Sequence, residues 1–278
     1  MRKIWLAGLL IVSMLTIAYG TGWSARQLET QSVHLRGSSN VGAIIQPVAE
    51  LYMREHPGTI VTVTSIGTMR GIKSLIDATC NVAMASADSD DTLKKRAKDN
   101  NLTLTKHVIA YDALVPIVNN GNGINNLAME DLRRLFSGEI VNWQQLGGAD
   151  LPVIVASYNG SSGNYETWKE RVMSERKVVT ASANILSTNN MAKFVQQNPG
   201  AIGYVALPYL DGTVKPLTVN GISHEVGNIT GRQYPIVREL ALYTSEGSTQ
   251  SVNQFVEYVL ATDKGQQFVR QAGVIAVK

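Results

Sequence analysis

The chain has 278 residues, 44% hydrophobic and 17% charged, which fits a folded globular protein of one large or two modest domains. Its net charge of +3 falls to +1 without residues 1–20, because Arg2 and Lys3 leave with them and 23 basic residues then face 22 acidic ones. A near-neutral chain with 6% aromatic residues argues against a nucleic-acid partner, which would favour a basic face and stacking platforms.

The N-terminus has the pattern of a secretory signal peptide. A short basic start precedes the apolar run Ile4 to Ala18, and small residues stand at cleavage spacing near Gly20. The run is short for a bilayer span, which takes about 20 residues, although an uncleaved anchor stays open as an alternative. We therefore expect residues 1–20 to be a signal peptide and 21–32 a leader.

Cys80 is the single cysteine, so no disulfide can form within the chain. Its apolar neighbours predict a buried thiol. No cysteine lies near residue 20, just after the N-terminal apolar run, so we expect no lipid anchor through an N-terminal cysteine. A soluble periplasmic protein fits these features.

Strands and helices alternate along the rest of the chain, which predicts an α/β fold of parallel strands with covering helices. The predicted elements are the strands 33–35, 60–65, 82–85, 103–109, 113–118, 153–156, 202–205 and 236–242, and the helices 44–54, 67–78, 92–100, 129–136, 165–176, 191–197, 248–261 and 264–272. Residues 111–120 lack a helix between strands and are interpreted as a crossing into a second lobe. A return crossing is expected between Leu207 and Tyr234. The predicted lobes are 33–113 plus 212–278, and 114–211, with two hinge crossings and a ligand cleft between them.

Two stretches repeat one device, a β-rich run, a polar turn and an amphipathic helix. The turns comprise Ser38, Ser39, Asn40 and Val41 in the first half, and Ser161, Ser162, Gly163 and Asn164 in the second. Such turns direct backbone N–H groups and small hydroxyls to a spot that a helix dipole makes favourable for an anion. Ordinary N-capping, worth about 1 kcal/mol each, is the alternative for either turn alone. Two matched turns predict a cleft that closes over a small oxyanion.

Two further segments carry polar side chains at the end of a predicted strand. Thr68 and Arg70 open one helix, and Ser86 with Asp88 follows a short apolar strand. Thr68 offers a hydroxyl. For Arg70, a charge partner in the cleft and a solvated residue at a helix start both remain open.

Catalysis has little support in the sequence. The run Gly160-Ser161-Ser162-Gly163 is one residue too short for a hydrolase elbow. The histidines occur in unrelated settings, and no spacing matches a metal-ligand set, a Walker loop or a dinucleotide fingerprint. We expect no enzyme activity, no cofactor and no metal.

From about Val33 onward, the chain resembles the periplasmic phosphate-binding proteins that serve ABC importers, a branch of the two-lobed solute-binding family. The landmarks are Gly37-Ser38-Ser39-Asn40-Val41, the loop and helix 67–73, the segment 81–86, Leu135-Phe136-Ser137-Gly138-Glu139-Ile140-Val141-Asn142-Trp143, Ser162-Gly163 and Gly200-Ala201-Ile202-Gly203-Tyr204. The run from Phe136 to Trp143 is the most specific and is interpreted as structural. The resemblance implies that hydroxyls, backbone N–H groups, an arginine and a carboxylate hold a dehydrated phosphate.

The resemblance also exposes departures. The family's arginine four residues before the second-lobe serine is here Tyr158, and the threonine after the glycine is Asn164. Losing one charged hydrogen bond would weaken anion binding by about 1.5–3 kcal/mol. Tyr158 either donates a hydrogen bond to the anion or narrows the cleft and excludes phosphate. Asp88 is the remaining carboxylate that could accept a phosphate proton and so reject sulfate.

The resemblance implies a monomeric periplasmic binding protein that captures inorganic phosphate, or a similar oxyanion, and delivers it to an ABC permease. The departures leave an alternative open, a secreted sensor or an interaction or adhesion protein that kept the fold with an altered site. A phosphate-ester hydrolase lacks a nucleophile–base pair or metal ligands.

Overall fold

The computed structural model describes residues 31–158, 162–174, 176–179, 183–185 and 188–278. Its strands are β1 (Gln31–Gly37), β2 (Thr59–Ser65), β3 (Val82–Ala85), β4 (Leu104–Val118), β5 (Asn126–Leu127), β6 (Ile154–Tyr158), β7 (Ala183–Ile185), β8 (Ala201–Ala206), β9 (Lys215–Pro216), β10 (Thr218–Val219), β11 (Val237–Ser245) and β12 (Ile275–Ala276). Its α-helices are α1 (Ser39–Glu55), α2 (Thr68–Ile76), α3 (Asp91–Asp99), α4 (Met129–Phe136), α5 (Gly163–Trp168), α6 (Thr188–Gln197), α7 (Val226–Thr230), α8 (Gln250–Leu260) and α9 (Gly265–Gln271). Turns of 3₁₀ helix lie at Trp143–Leu146 and Leu207–Tyr209, and a π-helical turn, Lys169–Met173, continues α5.

Apolar periodicity accounts for the elements nearest the predicted site. In α1, Val41, Ile44, Ile45 and Val48 recur at helical spacing and form its buried face. All four residues of β3 are buried, because β3 lies between β1 and β11 in the sheet interior.

Ten strands of the described part of the chain form one sheet. Along it the order is β2-β1-β3-β11-β4-β8-β6-β7, and β9 and β12 also pair with β4. The pairs β1–β2, β1–β3, β6–β7 and β6–β8 are parallel, whereas β11 runs antiparallel to β3 and β4, and β4 antiparallel to β8. The α/β class is as predicted, but the all-parallel sheet was wrong. Strand β4 leads the chain into its middle part, and β11 leads it back beside β4. The two neighbouring strands therefore run in opposite directions.

Buried apolar side chains of the described residues form three clusters. The first includes Val33 and Phe255, and the second includes Ile72 and Tyr243, so both join early and late parts of the chain. The third contains the middle of the chain, including Trp143. Strand β4 joins the first cluster at Ala110 to the third from Ala113 onward, and the chain returns between Ile236 and Leu240.

The lobe boundaries remain a prediction. Val214, Leu217, Ile229 and Tyr234 all pack in the cluster of Trp143. Packing alone would therefore place the return crossing near Ile236, later than the predicted boundary at residue 212.

Candidate functional site

The first predicted turn lies where β1 passes into α1. A methyl group on Gly37 would overlap the carbonyl oxygen of Met84, so only glycine fits where β1 and β3 approach so closely. Ser38 then precedes the first turn of α1, and its N–H donates to Met84 O at 2.8 Å. Its side chain is 3% exposed, does not cap the helix, and its Oγ bonds no described residue. The Ser38 hydroxyl is therefore buried without a hydrogen-bond partner among the described residues. It lies beside the N-terminus of the 17-residue helix α1, where the helix dipole favours negative charge.

The second cluster of polar groups joins the start of α2 to the end of β3. Thr68 Oγ1 lies 3.3 Å from Ser86 Oγ and accepts the Ser86 N–H at 3.2 Å. Both side chains are buried. A methyl on Gly71 would lie 2.5 Å from Arg36 O, so this glycine lets α2 pack tightly on the end of β1. That packing holds the Thr68 hydroxyl against Ser86.

The second-half turn meets both of these clusters. Ser162 precedes α5, and its Oγ accepts the Asn164 N–H at 3.2 Å. Asn164 Oδ1 accepts from Asn40 Nδ2 at 3.3 Å, although the two residues are 124 positions apart. A methyl on Gly163 would lie 2.9 Å from Ser86 Oγ and 3.4 Å from Asn40 Nδ2. Groups from three distant parts of the chain thus converge at Gly163.

The remaining predicted site residues differ in exposure. The side chains of Ser39 and Arg70 are exposed. The side chain of Val41 packs in the cluster of Val33 and Phe255, whereas its backbone N–H lies in the first turn of α1, next to Asn40. Tyr158 is 4% exposed and packs edge-on against Tyr204, with ring centroids 5.2 Å apart, inside the third cluster. Its ring is a core element and supplies no cation in place of the family's arginine. Ser161 lies outside the described residues.

Asp88 pairs with Lys106 and accepts a hydrogen bond from Tyr243 OH at 3.3 Å. Burial by itself would raise the pKa of Asp88, but the hydrogen bond and charge of Lys106 outweigh it and lower that pKa. The charge of Arg171 lowers the pKa of Asp88 further. The carboxylate therefore stays ionised.

A buried ion pair adjoins the second-half turn, and sequence reasoning missed it. Arg238 on β11 donates from Nε and Nη2 to Asp112 Oδ2 on β4, at 2.9 and 2.6 Å, and both side chains are 2% exposed. Nη1 of Arg238 lies 3.4 Å from Gly163 O and 3.5 Å from Thr167 Oγ1. The sequence carries part of a signal, because Asp112 is a charged residue directly before the apolar run 113–118, but the register that places Arg238 opposite it is visible only in the structure.

Arg238 lines at least three cavities in the described part of the chain. The small cavity, of about 20 Å³, is lined by Ser86, Ala87, Asp88, Lys106, Thr167, Glu170, Arg171, Arg238 and Glu239. A second, of about 280 Å³, includes Ser39, Asn40 and Asp112 in its lining. A third, of about 360 Å³, includes Asp88, Arg171 and Arg232. Among the described residues, no three His, Cys, Asp or Glu side chains are placed to hold a metal ion. No helix of the described ranges is long and apolar enough to cross a membrane.

Hydroxyls, amides and helix N-termini that converge in this way can hold a small oxyanion, the chemistry of solute-binding proteins. The chain belongs to the PBP superfamily, whose domain it matches over residues 24–263.

The similar proteins carry more specific names. The chain is 27% identical over 247 residues to the phosphate-binding protein PstS of Bacillus subtilis (strain 168), covering 88% of this chain and 81% of that protein. It is 27% identical over 259 residues to PstS of Borreliella burgdorferi, covering 88% and 90%. A crystal structure of a putative phosphate ABC transporter substrate-binding protein with bound phosphate from Clostridium perfringens superimposes with a TM-score of 0.75 at 28% identity, over 89% of this chain and 100% of that one. An ABC-type phosphate transport receptor from Vibrio cholerae gives 0.79 at 25% identity, over 87% and 99%.

These findings confirm the resemblance predicted from the sequence and the two-lobed α/β fold class. The relatives are named as binding proteins and transport receptors, not as enzymes. None of these comparisons tests the individual site residues, which therefore remain predictions.

Proposed function

We propose that this protein captures inorganic phosphate, or a similar small oxyanion, between the turns that begin α1, α2 and α5, and delivers it to an ABC permease. Its relatives carry phosphate-binding names, and the polar turns converge where anion donors are needed. The signal-peptide pattern of residues 1–20 supports cleavage, export and a periplasmic location. A monomer suits such a carrier.

The observation that carries the proposal is the convergence at Gly163 of Ser86 and Asn40. These groups come from distant parts of the chain, and α1 and α2 begin beside them. Helix N-termini and small hydroxyls stabilise an anion in place of its lost water. Ser38 Oγ, buried without a partner among the described residues, is an additional donor for a ligand oxygen.

The space between the turns is narrow. Asn40 on the first turn is bonded to Asn164 on the second, and the small cavity beside Ser86 and Thr167, of about 20 Å³, holds about one water molecule, so a phosphate ion requires the Asn40–Asn164 hydrogen bond to part. We propose that the two halves separate to admit the ion and that the ion replaces this bond. Asp88 lines the small cavity and, being ionised, can accept a hydrogen bond from a protonated phosphate oxygen, a donor that sulfate lacks.

The test compares Ser38→Ala with a matched serine. Ser38→Ala should weaken phosphate binding by about tenfold or more, the loss of one hydrogen bond to a charged group. It should leave the free energy of unfolding unchanged or slightly higher, because it removes a buried hydroxyl that has no partner. The control is Ser137→Ala, whose hydroxyl bonds Arg134 O and Glu139 at the end of α4.

The measurement is calorimetric titration of the phosphate-stripped chain from residue 21 with phosphate, arsenate and sulfate. Saturable phosphate binding with sulfate excluded supports the proposal. A wild-type protein that binds none of the three contradicts it.

The alternative, a secreted sensor or interaction protein, is favoured by one observation. Tyr158 is a core residue, so no cation stands where the family has its arginine. Absence of anion binding, with a folded protein and no permease encoded nearby, would select this alternative.

A further inference from the structure

Among the described residues, the other cations near the proposed anion site are exposed or already paired. Arg171 lines the small cavity but is 43% exposed and pairs with Glu170. Tyr158 is buried in the third cluster, and Arg70 is exposed on α2. Lys106 is engaged with Asp88 and Glu239. An anion that loses its water is held best by charge-assisted donors, so a positive charge should act on it from somewhere.

Arg238 contacts the second-half turn itself. Its Nη1 lies 3.4 Å from Gly163 O, which also accepts from Thr167 Oγ1 at 2.9 Å. Gly163 O and the N–H of Asn164 belong to one planar peptide group and point in opposite directions. A donor on the carbonyl therefore orients this N–H and strengthens it.

The chain of polar groups continues into the site. The Asn164 N–H donates to Ser162 Oγ at 3.2 Å. A hydroxyl whose oxygen accepts a bond keeps its own hydrogen for donation, here towards a bound anion. Each link polarises the next, so the guanidinium charge is felt at the Ser162 hydroxyl.

Asp112 neutralises part of the charge of Arg238. Its Oδ2 accepts hydrogen bonds from Nε and Nη2 of Arg238, which leaves Nη1 directed to the turn. Its other oxygen accepts from Ala113 N at 2.8 Å and Leu207 N at 3.3 Å, which fixes the carboxylate. Because both side chains are buried, the negative charge cancels much of the field of Arg238 in a medium of low dielectric.

We infer that Arg238 is a positioning residue for the anion, acting through the Gly163–Asn164 peptide and the Ser162 hydroxyl, and that Asp112 limits the charge it supplies. This inference rests on the proposed function.

The test changes the charge of the pair in steps. Asp112→Asn leaves Arg238 unopposed and should tighten phosphate binding about threefold to tenfold. The double variant Asp112→Asn with Arg238→Met removes both charges and should weaken it about tenfold relative to wild type. Arg96→Met is the control, since Arg96 on α3 is also an arginine paired with a carboxylate, Asp77, but is 47% exposed. It should leave the affinity unchanged.

A pH profile separates charge from structure. From the pH where phosphate is a monoanion to that where it is a dianion, affinity should rise more steeply in Asp112→Asn than in the double variant. If the Arg238–Asp112 pair had only a structural role, the plots of affinity against pH for both variants would shift without a change in slope.

Every result of these measurements either supports or overturns the inference. Equal weakening in Asp112→Asn and the double variant would overturn the inference, as would parallel profiles. If Asp112→Asn does not fold, the double variant decides alone. Phosphate binding like that of the wild type would overturn the inference, and tenfold weaker binding with a flatter dependence of affinity on pH would support it. A wild-type protein without phosphate binding would instead overturn the proposed function, and this inference with it.

Discussion

Adding one methyl group to Gly163 tests the geometry of the candidate site directly. In Gly163→Ala, the new Cβ would lie 2.9 Å from Ser86 Oγ, closer than such atoms approach in folded proteins. Ser86 cannot simply turn away, because it is fully buried and its hydroxyl lies 3.3 Å from Thr68 Oγ1. The methyl would also occupy the space in which we place the anion.

The expected cost follows from these contacts. Overpacking of a buried site costs about 1–3 kcal/mol, and disturbing the Thr68–Ser86 contact adds about 1 kcal/mol. Replacing glycine within a helix returns up to about 1 kcal/mol, and less at the first helical position, which Gly163 occupies. The net loss is about 1–4 kcal/mol. For a domain of this size, each kcal/mol lowers Tm by about 2–4 °C.

Gly227→Ala is the matched control. Gly227 also lies in a short helix, α7, but a methyl there would meet nothing within 4 Å. It should stabilise the protein by about 0.5–1 kcal/mol and leave phosphate binding unchanged. The assays are thermal unfolding and phosphate titration of both variants. A Gly163→Ala protein with wild-type Tm and affinity would refute the convergence of Gly163 and Ser86.

Three further predictions concern Thr68, Asp88 and Cys80. Thr68→Val should cost about 1–3 kcal/mol in urea unfolding, because it leaves the buried N–H of Ser86 without an acceptor, and Thr68→Ser should recover most of that loss. Asp88 has a lowered pKa because Lys106 outweighs burial, so its stabilising contribution is present above the ordinary aspartate pKa and is lost as pH falls through the lowered value. Asp88→Asn should therefore flatten the acid side of the stability–pH curve, and an unchanged slope would contradict this. Burial raises the pKa of Cys80 to about 11, so a thiol reagent at mildly alkaline pH should label it only on unfolding; rapid labelling of the native protein would refute the buried thiol.

Local pattern was enough for most elements of the fold. The apolar spacing of α1 and the buried run of β3 depend on nearest neighbours in the chain. Strand β3 was predicted at its observed position, whereas α1, predicted over 44–54, begins five residues earlier, at Ser39. The antiparallel course of β11 beside β4 was not, because strand direction depends on where the chain travels between clusters.

The polar turns were likewise visible in the sequence. Ser38 and Ser162 stand directly before helices, and Asn40 and Asn164 lie in the first turns of the same helices, a local signature of an anion site. The sequence could not say which of them meet. That Asn40 reaches Asn164, or that Gly163 lies against Ser86, depends on the packing of distant segments.

Taken by itself, the sequence determined the helices and strands and the hydroxyls and amides offered at their ends, because propensity, periodicity and capping act over a few residues. Only the tertiary structure decided that Tyr158 is a core ring and that Arg238 pairs with Asp112 behind Gly163. Both depend on burial and on charges brought together by the sheet. The charge and polarity of a residue follow from its type, but the groups that surround it depend on the fold.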